Sequence, residues 1–269
     1  MTPADKAALF RQLHEGPQVL VLANAWDAAS AAVIADAGAR AVATSSAAVA
    51  WAYGYADGDV LPVDKVVATI AAVSKAAGDL PVTADIEGGF TDDLDLLAEH
   101  IGRVIDAGAV GVNLEDGGRD PDLHARKIAA ARSQAAKMGA GLFINARTDV
   151  YLRGLAEGEA AYTETVRRAA LYADAGADGI FVPGPADAAL IERLALAIPR
   201  PLNVMGRPGV PPASDLARLG ARRLSSATHP FRVAYAAMSR AVSAFLSDGD
   251  ADALARAGEG APNLQARFG

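Results

Sequence analysis

Residues 105–116 read IDAGAVGVNLED. The segment runs from the end of a helix, through Gly108, into a short apolar run that stops at two acids, Glu115 and Asp116. Glycine just past a helix can take the left-handed conformation that ends it, and the next few residues are then free to start a strand. The same junction recurs as ADAGARAV (35–42), ADAGADGI (173–180) and ARLGARRL (217–224), with Gly38, Gly176 and Gly220 in the equivalent place. A repeated helix-to-strand junction implies parallel strands joined by helical crossovers. Around these junctions the apolar runs predict strands near 19–23, 41–46, 81–85, 110–115, 142–147, 179–183, 201–205 and 223–226. Helices lie between them. Residues 92–107 are the clearest, with Leu94, Leu97, Ala98, Ile101, Val104 and Ile105 at helical spacing. Eight strand-like runs alternating with helices predict a (β/α)8 TIM barrel, a fold that typically takes about 250 residues. The alternative is an open doubly wound sheet. That fold usually places a glycine-rich loop after its first strand, whereas here the first strand leads into LANAWDAAS (22–30), which has no glycine.

No linker or change of composition divides the chain, so residues 1–269 read as one domain with a helical tail from about Thr228. The net charge is −7 and no long basic run occurs, which argues against a nucleic-acid partner. There is no cysteine, so disulfides, thiolate metal sites and a cysteine nucleophile are excluded. The N-terminal MTPADKAALFRQLHEG predicts an amphipathic helix without the layout of a signal peptide. No uninterrupted apolar run reaches the roughly 18 residues that mark a membrane span, and the expected location is the cytoplasm.

Active sites of such barrels sit at the C-terminal ends of the strands. Read there, PVTADIE (81–87) supplies Asp85 and Glu87, and VGVNLED (110–116) supplies Glu115 and Asp116. Clustered carboxylates at the end of a buried strand are unfavourable unless a cation or donor compensates. The arrangement predicts a hard divalent ion held by oxygen ligands; the alternative is that the acids cap helices or pair with basic residues. The second strand ends at Ser45 and Ser46, followed by Tyr53 and Asp57 on the loop. The fifth strand ends at Arg147 and Asp149, and the seventh at Asn203. The planar fork of Arg147 matches a carboxylate or phosphate; a structural ion pair with Glu115 or Asp149 is the competing role, and the two can coexist. Of the histidines, His14 and His100 are expected at the surface, His124 at a helix cap or in solvent, and His229 near the mouth.

These residues resemble the isocitrate lyase/phosphoenolpyruvate mutase superfamily over about residues 15–240. The resemblance is carried by ATSS (43–46), GYAD (54–57), PVTADIEGGF (81–90), VNLED (112–116), FINARTD (143–149) and LNVM (202–205), in that order. It implies a TIM barrel with a C-terminal helix swapped between subunits, and a homo-oligomer, dimer or tetramer. It also implies Mg²⁺, with Mn²⁺ as a substitute, and a small 2-oxo or 2-hydroxy carboxylate as substrate. Asp57, Asp85, Glu87 and Glu115 would surround the metal, some through water. Ser45, Ser46, Ala47, Arg147 and Asn203 would hold the substrate, with Asp57, Arg147 and Asn203 as catalytic residues. The implied reaction is lyase-like C–C cleavage through a metal-stabilised enolate. The alternatives are phosphoenolpyruvate mutase-type P–C chemistry and a non-catalytic dicarboxylate binder. Three departures stand out. Glu87 is one methylene longer than the family's aspartate. The lyases' cysteine loop is replaced by the short GGRDPDLHARK (117–127). The acid after the sixth strand is absent from FVPGP (181–185).

Overall fold

The computed structural model describes residues 1–269. Nine parallel strands form one sheet: β1 (Leu20–Leu22), β2 (Asn24–Ala25), β3 (Val42–Thr44), β4 (Val82–Asp85), β5 (Gly111–Glu115), β6 (Phe143–Arg147), β7 (Gly179–Val182), β8 (Leu202–Met205) and β9 (Arg223–Ser225). Their order is β1-β9-β8-β7-β6-β5-β4-β3-β2. β1 and β2 are the two halves of the expected first strand, interrupted at Ala23, so the ring is a barrel. The lower half pairs with β9 and the upper half with β3. Asn24 holds this break together. Its backbone N–H donates to Ser226 Oγ (3.0 Å), its Oδ1 accepts from the same hydroxyl (3.1 Å), and its Nδ2 donates to the Thr44 carbonyl (2.7 Å). The four junction glycines all have positive φ, between +87° and +108°.

Alternation along each strand divides the molecule into an inside and an outside. Val112, Leu114, Ile144, Ala146 and Ile180 point outward and pack under the helices in one large apolar cluster. Ala41, Ala43, Leu20, Leu22 and Phe143 gather at the opposite end from the strand termini. Phe10, from the helix Pro3–Gln12, plugs that end and lies edge-on to Phe143 with ring centres 5.5 Å apart. No helix is long and apolar enough to cross a membrane. The helix His229–Asp248 packs little against the barrel: of its residues only Phe231 is buried, and Val233, Met238 and Leu246 are 69%, 53% and 78% exposed. On the barrel wall, the outward Val21 of β1 is likewise 54% exposed.

The same alternation separates Glu115 from Asp116. Glu115 ends β5, and the buried Asp116 turns away from the mouth toward the helix Gly158–Asp174. Its Oδ2 accepts from Arg168 Nη1 and the Tyr172 hydroxyl, both at 2.8 Å, and its Oδ1 accepts from the Asp149 N–H at 3.0 Å. Asp116 is thus a brace between sheet and helix and not a member of the carboxylate cluster at the mouth. Burial pushes its carboxyl up, but these donors together outweigh that and hold it below the ordinary carboxylate range. A depressed folded pKa contributes stability above the unfolded value and loses it as pH falls through the folded one. Asp116→Ala should therefore lower stability at neutral pH by about 3 kcal/mol or more, the scale for breaking a buried ion pair. Urea denaturation should show the gap from the parent chain narrowing in acid.

Candidate active site at the barrel mouth

Backbone register carries Glu115, Arg147, Phe181, Asn203 and Arg223 across β5 to β9 in one line. Arg147 is central. Its Nη1 lies 2.6 Å from Glu115 Oε2. Its Nε and Nη2 donate to the two oxygens of Asp149 at 2.6 and 3.1 Å. Both ion pairs expected as alternatives to ligand binding are formed, and its guanidinium carbon lies 5.7 Å from the centre of the Phe181 ring. All three nitrogens of the fork are thus held by carboxylates, Nε and Nη2 by Asp149 and Nη1 by Glu115. Arg147 itself is held protonated, since Glu115 and Asp149 outweigh the effect of burial.

The acids around it are less well compensated. Burial raises Glu115 above its usual range against the opposing pull of Arg147, with Asp149, Asp85 and Asp57 adding to the rise. Asp85 is raised chiefly by burial, opposed by Arg147 and reinforced by Asp57. Its side chain accepts the Glu87 N–H at 3.4 Å, while its own N–H donates to Thr44 Oγ1 at 2.9 Å. Asp57 sits on an exposed loop, with its carboxyl 3.4 Å from the Ser46 hydroxyl. Glu87 is pushed up to about 7 by burial, opposed by the Asp59 N–H and reinforced by Asp57, Asp59 and Asp85.

Four carboxylates with raised pKa values and all-oxygen donors suit a hard divalent cation. No three of them close into a ready-made cage, because Glu115 is drawn to Arg147 and Glu87 to backbone amides. Asp85 has no salt-bridge partner. The set fits an ion held directly by few carboxylates and otherwise through water, which is the habit of Mg²⁺.

Ser45 caps the short helix Ser46–Ala52, its Oγ accepting from the Ala48 N–H at 3.4 Å, so Ser45, Ser46 and Ala47 lie where β3 opens into the mouth. Ser46 shares a small cavity with Thr44, Asp85 and Glu87. Asn203 is fully buried and neither atom of its amide has a partner. Beside it, the buried Arg223 donates to Asn113 Oδ1 at 3.1 Å, and Asn145 donates to the same oxygen at 2.8 Å. Gly179 makes room for this layer: a Cβ there would stand 2.8 Å from Asn145 Oδ1.

The histidines depart from expectation. His14, His100 and His124 are all buried. His14 stacks on Phe143 at 4.2 Å and His124 lies edge-on to Tyr172 at 4.6 Å, and burial pushes both imidazoles down to about 3. His100 and His124 are carried inward by the buried faces of their helices, and His14 by the turn that follows the helix Pro3–Gln12. His229 is exposed, with Nδ1 donating to the Ser226 carbonyl at 2.8 Å. Sequence reading also missed Asp59 and Arg119, which meet beside Glu87 at 2.5 Å. The Gly-Gly before Arg119 is the only local signal of the tight turn involved.

Comparison with known proteins agrees with this geometry. The phosphoenolpyruvate phosphomutase family model matches residues 10–246. The chain belongs to this family. A crystal structure from Burkholderia cenocepacia J2315, carrying a provisional phosphonomutase assignment, is 44% identical, covers 89% of this chain and 99% of that one, and superposes with a TM-score of 0.85. The crystal structure of 2,3-dimethylmalate lyase, a PEP mutase/isocitrate lyase superfamily member, is 25% identical over 93% of this chain and 88% of that one, with a TM-score of 0.83. An uncharacterised protein of Mycobacterium tuberculosis is 35% identical over 246 residues, 90% of each chain. The protein is an enzyme of a superfamily that contains lyases and phosphomutases.

An acid whose folded pKa is raised contributes stability below its unfolded value and loses it as pH rises through the folded one. With chelator present, the melting temperature should therefore fall between about pH 4.5 and about pH 8, the contribution of Glu87 ending near 7 and that of Glu115 near 8. Glu115→Gln should flatten the upper part of that fall, and a pH-independent profile in the parent chain would contradict the assignment.

Proposed function

We propose that this chain is a Mg²⁺-dependent lyase that breaks the C–C bond next to the carbonyl carbon of a small 2-oxo or 2-hydroxy carboxylate, with Mn²⁺ as a substitute ion. The observation that carries the reading is the mouth's charge arrangement: Arg147, whose Nη1 is held by Glu115 alone, stands beside acids, among them Asp85, that lack a cation of their own. Likeness to a 2,3-dimethylmalate lyase supports the lyase side of it. Bound Mg²⁺, held by Asp85 with Asp57 and Glu115 around it, would supply Lewis-acid polarisation of the substrate's 2-oxygen. Arg147 would grip the carboxylate, together with Ser45, Ser46 and the Ala47 N–H. The unpartnered amide of Asn203 would donate toward the oxygen that gains charge during cleavage. Asp57, raised by desolvation of its carboxyl with Arg147 opposing, would be the group that moves a proton. P–C bond chemistry is the second reading, favoured by the phosphomutase family match; conversion of phosphonopyruvate followed by phosphorus NMR separates it from the first.

The assembly we infer is a homo-oligomer, dimer or tetramer. The apolar Val233, Met238 and Leu246 and the bare Val21 on β1 are surfaces a second copy would cover.

Oxaloacetate should lose carbon dioxide or an acyl fragment faster with Mg²⁺ than with chelator. Arg147→Lys should weaken oxalate binding by about 1.5–3 kcal/mol, the scale of a hydrogen bond to a charged group. Unchanged oxalate affinity would reduce Arg147 to a structural partner.

Isocitrate and 2-methylisocitrate should be cleaved negligibly. The chain has no cysteine, and FVPGP (181–185) has no acid to replace it as proton donor. A missing acid–base group typically lowers the rate by about 10²–10⁴-fold. Robust glyoxylate or pyruvate release from these substrates, abolished by Asp85→Ala, would contradict this.

A further inference from the structure

Three of the four non-glycine residues with left-handed backbone meet at one point: Asp59 (φ +59°), Glu87 (φ +50°) and Phe90 (φ +62°). Such conformations are unfavourable and persist where neighbouring contacts over-determine them. Here two loops hold each other reciprocally. Glu87, after β4, accepts from the backbone N–H groups of Gly58 (2.8 Å) and Asp59, on the loop after β3. Asp59 returns the contact, its Oδ1 accepting from the N–H groups of Gly88 and Phe90, both at 3.0 Å.

A third loop closes the arrangement. Gly117 and Gly118 turn the chain after β5 with φ of +55° and +79°. Arg119 then donates from Nη2 to Asp59 Oδ2 at 2.5 Å, and its Nε lies 3.3 Å from Asp92. Asp92 is anchored in turn by the buried Lys127 at 2.7 Å. The contact is tight enough to need Gly88, where a Cβ would stand 2.5 Å from Arg119 Nη1 and 2.6 Å from Asp59 Oδ2.

We propose that Glu87, Asp59 and Arg119 are positioning residues: they form a clasp that fixes the Asp57 loop over the barrel mouth, and Glu87 is not a ligand of the cation. The assignment rests on the mouth being the active site, as proposed above. It accounts for the glutamate at position 87, since an aspartate would fall one methylene short of the loop amides. It also accounts for the short loop after β5, whose Arg119 secures the roof.

The test is backbone hydrogen exchange on the full chain, without metal, comparing the parent with Glu87→Asp, Asp59→Asn and Arg119→Gln. Peptides covering 54–60 should exchange about tenfold or more faster in each variant, as expected for loss of hydrogen bonds to a charged group. Peptides from β6 should not change. Unchanged protection of 54–60 in Arg119→Gln and Glu87→Asp would overturn the clasp; if Glu87→Asp does not fold, Arg119→Gln, at a partly exposed side chain, decides alone. A second readout is the Mg²⁺ concentration that gives half of the thermal stabilisation. Glu87→Gln should leave it within about threefold of the parent, while Asp85→Asn should remove the response, because only an ion bound to the native state stabilises it. Loss of the response in Glu87→Gln with 54–60 still protected would make Glu87 a ligand. If the parent itself shows neither Mg²⁺ response nor turnover, the functional reading fails and the exchange data still decide the clasp.

Discussion

One guanidinium balances the mouth of this barrel. Arg147 is shared between Glu115 and Asp149, and Asp85 and Asp57 lie near enough for its charge to oppose the rise that burial imposes on their carboxyls. Arg153 also reaches Asp149, at 3.2 Å, but two positive charges do not neutralise four carboxyls, and removing carboxylates from water without compensation is expensive. The site is therefore built with a deficit of positive charge. In the proposed reading a divalent cation supplies the missing charge and draws Glu115 away from Arg147, whose Nη1 then faces an anion next to it. Binding of metal and of carboxylate are two parts of one electrostatic arrangement.

The barrel makes this arrangement possible by separating polar from apolar residues along every strand. Outward residues of β4 to β8 meet helices and carry the apolar packing, while inward residues bring asparagines and charged groups to the axis. Asp116 shows how strict the separation is. It adjoins Glu115 in the chain, yet it braces a helix through Arg168 and Tyr172 and takes no part in the mouth. Above the strands, the loops do the positioning. The carboxylates of Glu87 and Asp59 accept backbone N–H groups across two loops, so the residues that shape the roof are distinct from those that face the substrate.

Much of this was legible in the sequence because it depends on short-range rules. Glycines at helix ends marked four junctions, and short apolar runs marked the strands, which together pointed to a closed parallel barrel. The first strand broke into two because it must pair with different neighbours below and above Ala23, a constraint of ring closure that no local window contains. Glu115 and Asp116 were read as one cluster although the same alternation places them on opposite faces. The buried histidines were misread because a polar ring on a helix says nothing by itself about which face it occupies; the stacking of His14 on Phe143 requires the tertiary structure. The Asp59–Arg119 contact joins residues 60 positions apart on separate loops, beyond the reach of motif or periodicity.

The most direct test of the central claim is a crystal structure of the protein with Mg²⁺ and oxalate. The account predicts an ion against Asp85, with Asp57 and Glu115 reached through water and Glu87 on the loop amides. It predicts one oxalate carboxylate on the Nη1 end of Arg147, close to Ser45 and Ser46. An ion bound away from Asp85, or oxalate bound without contact to Arg147, would contradict it.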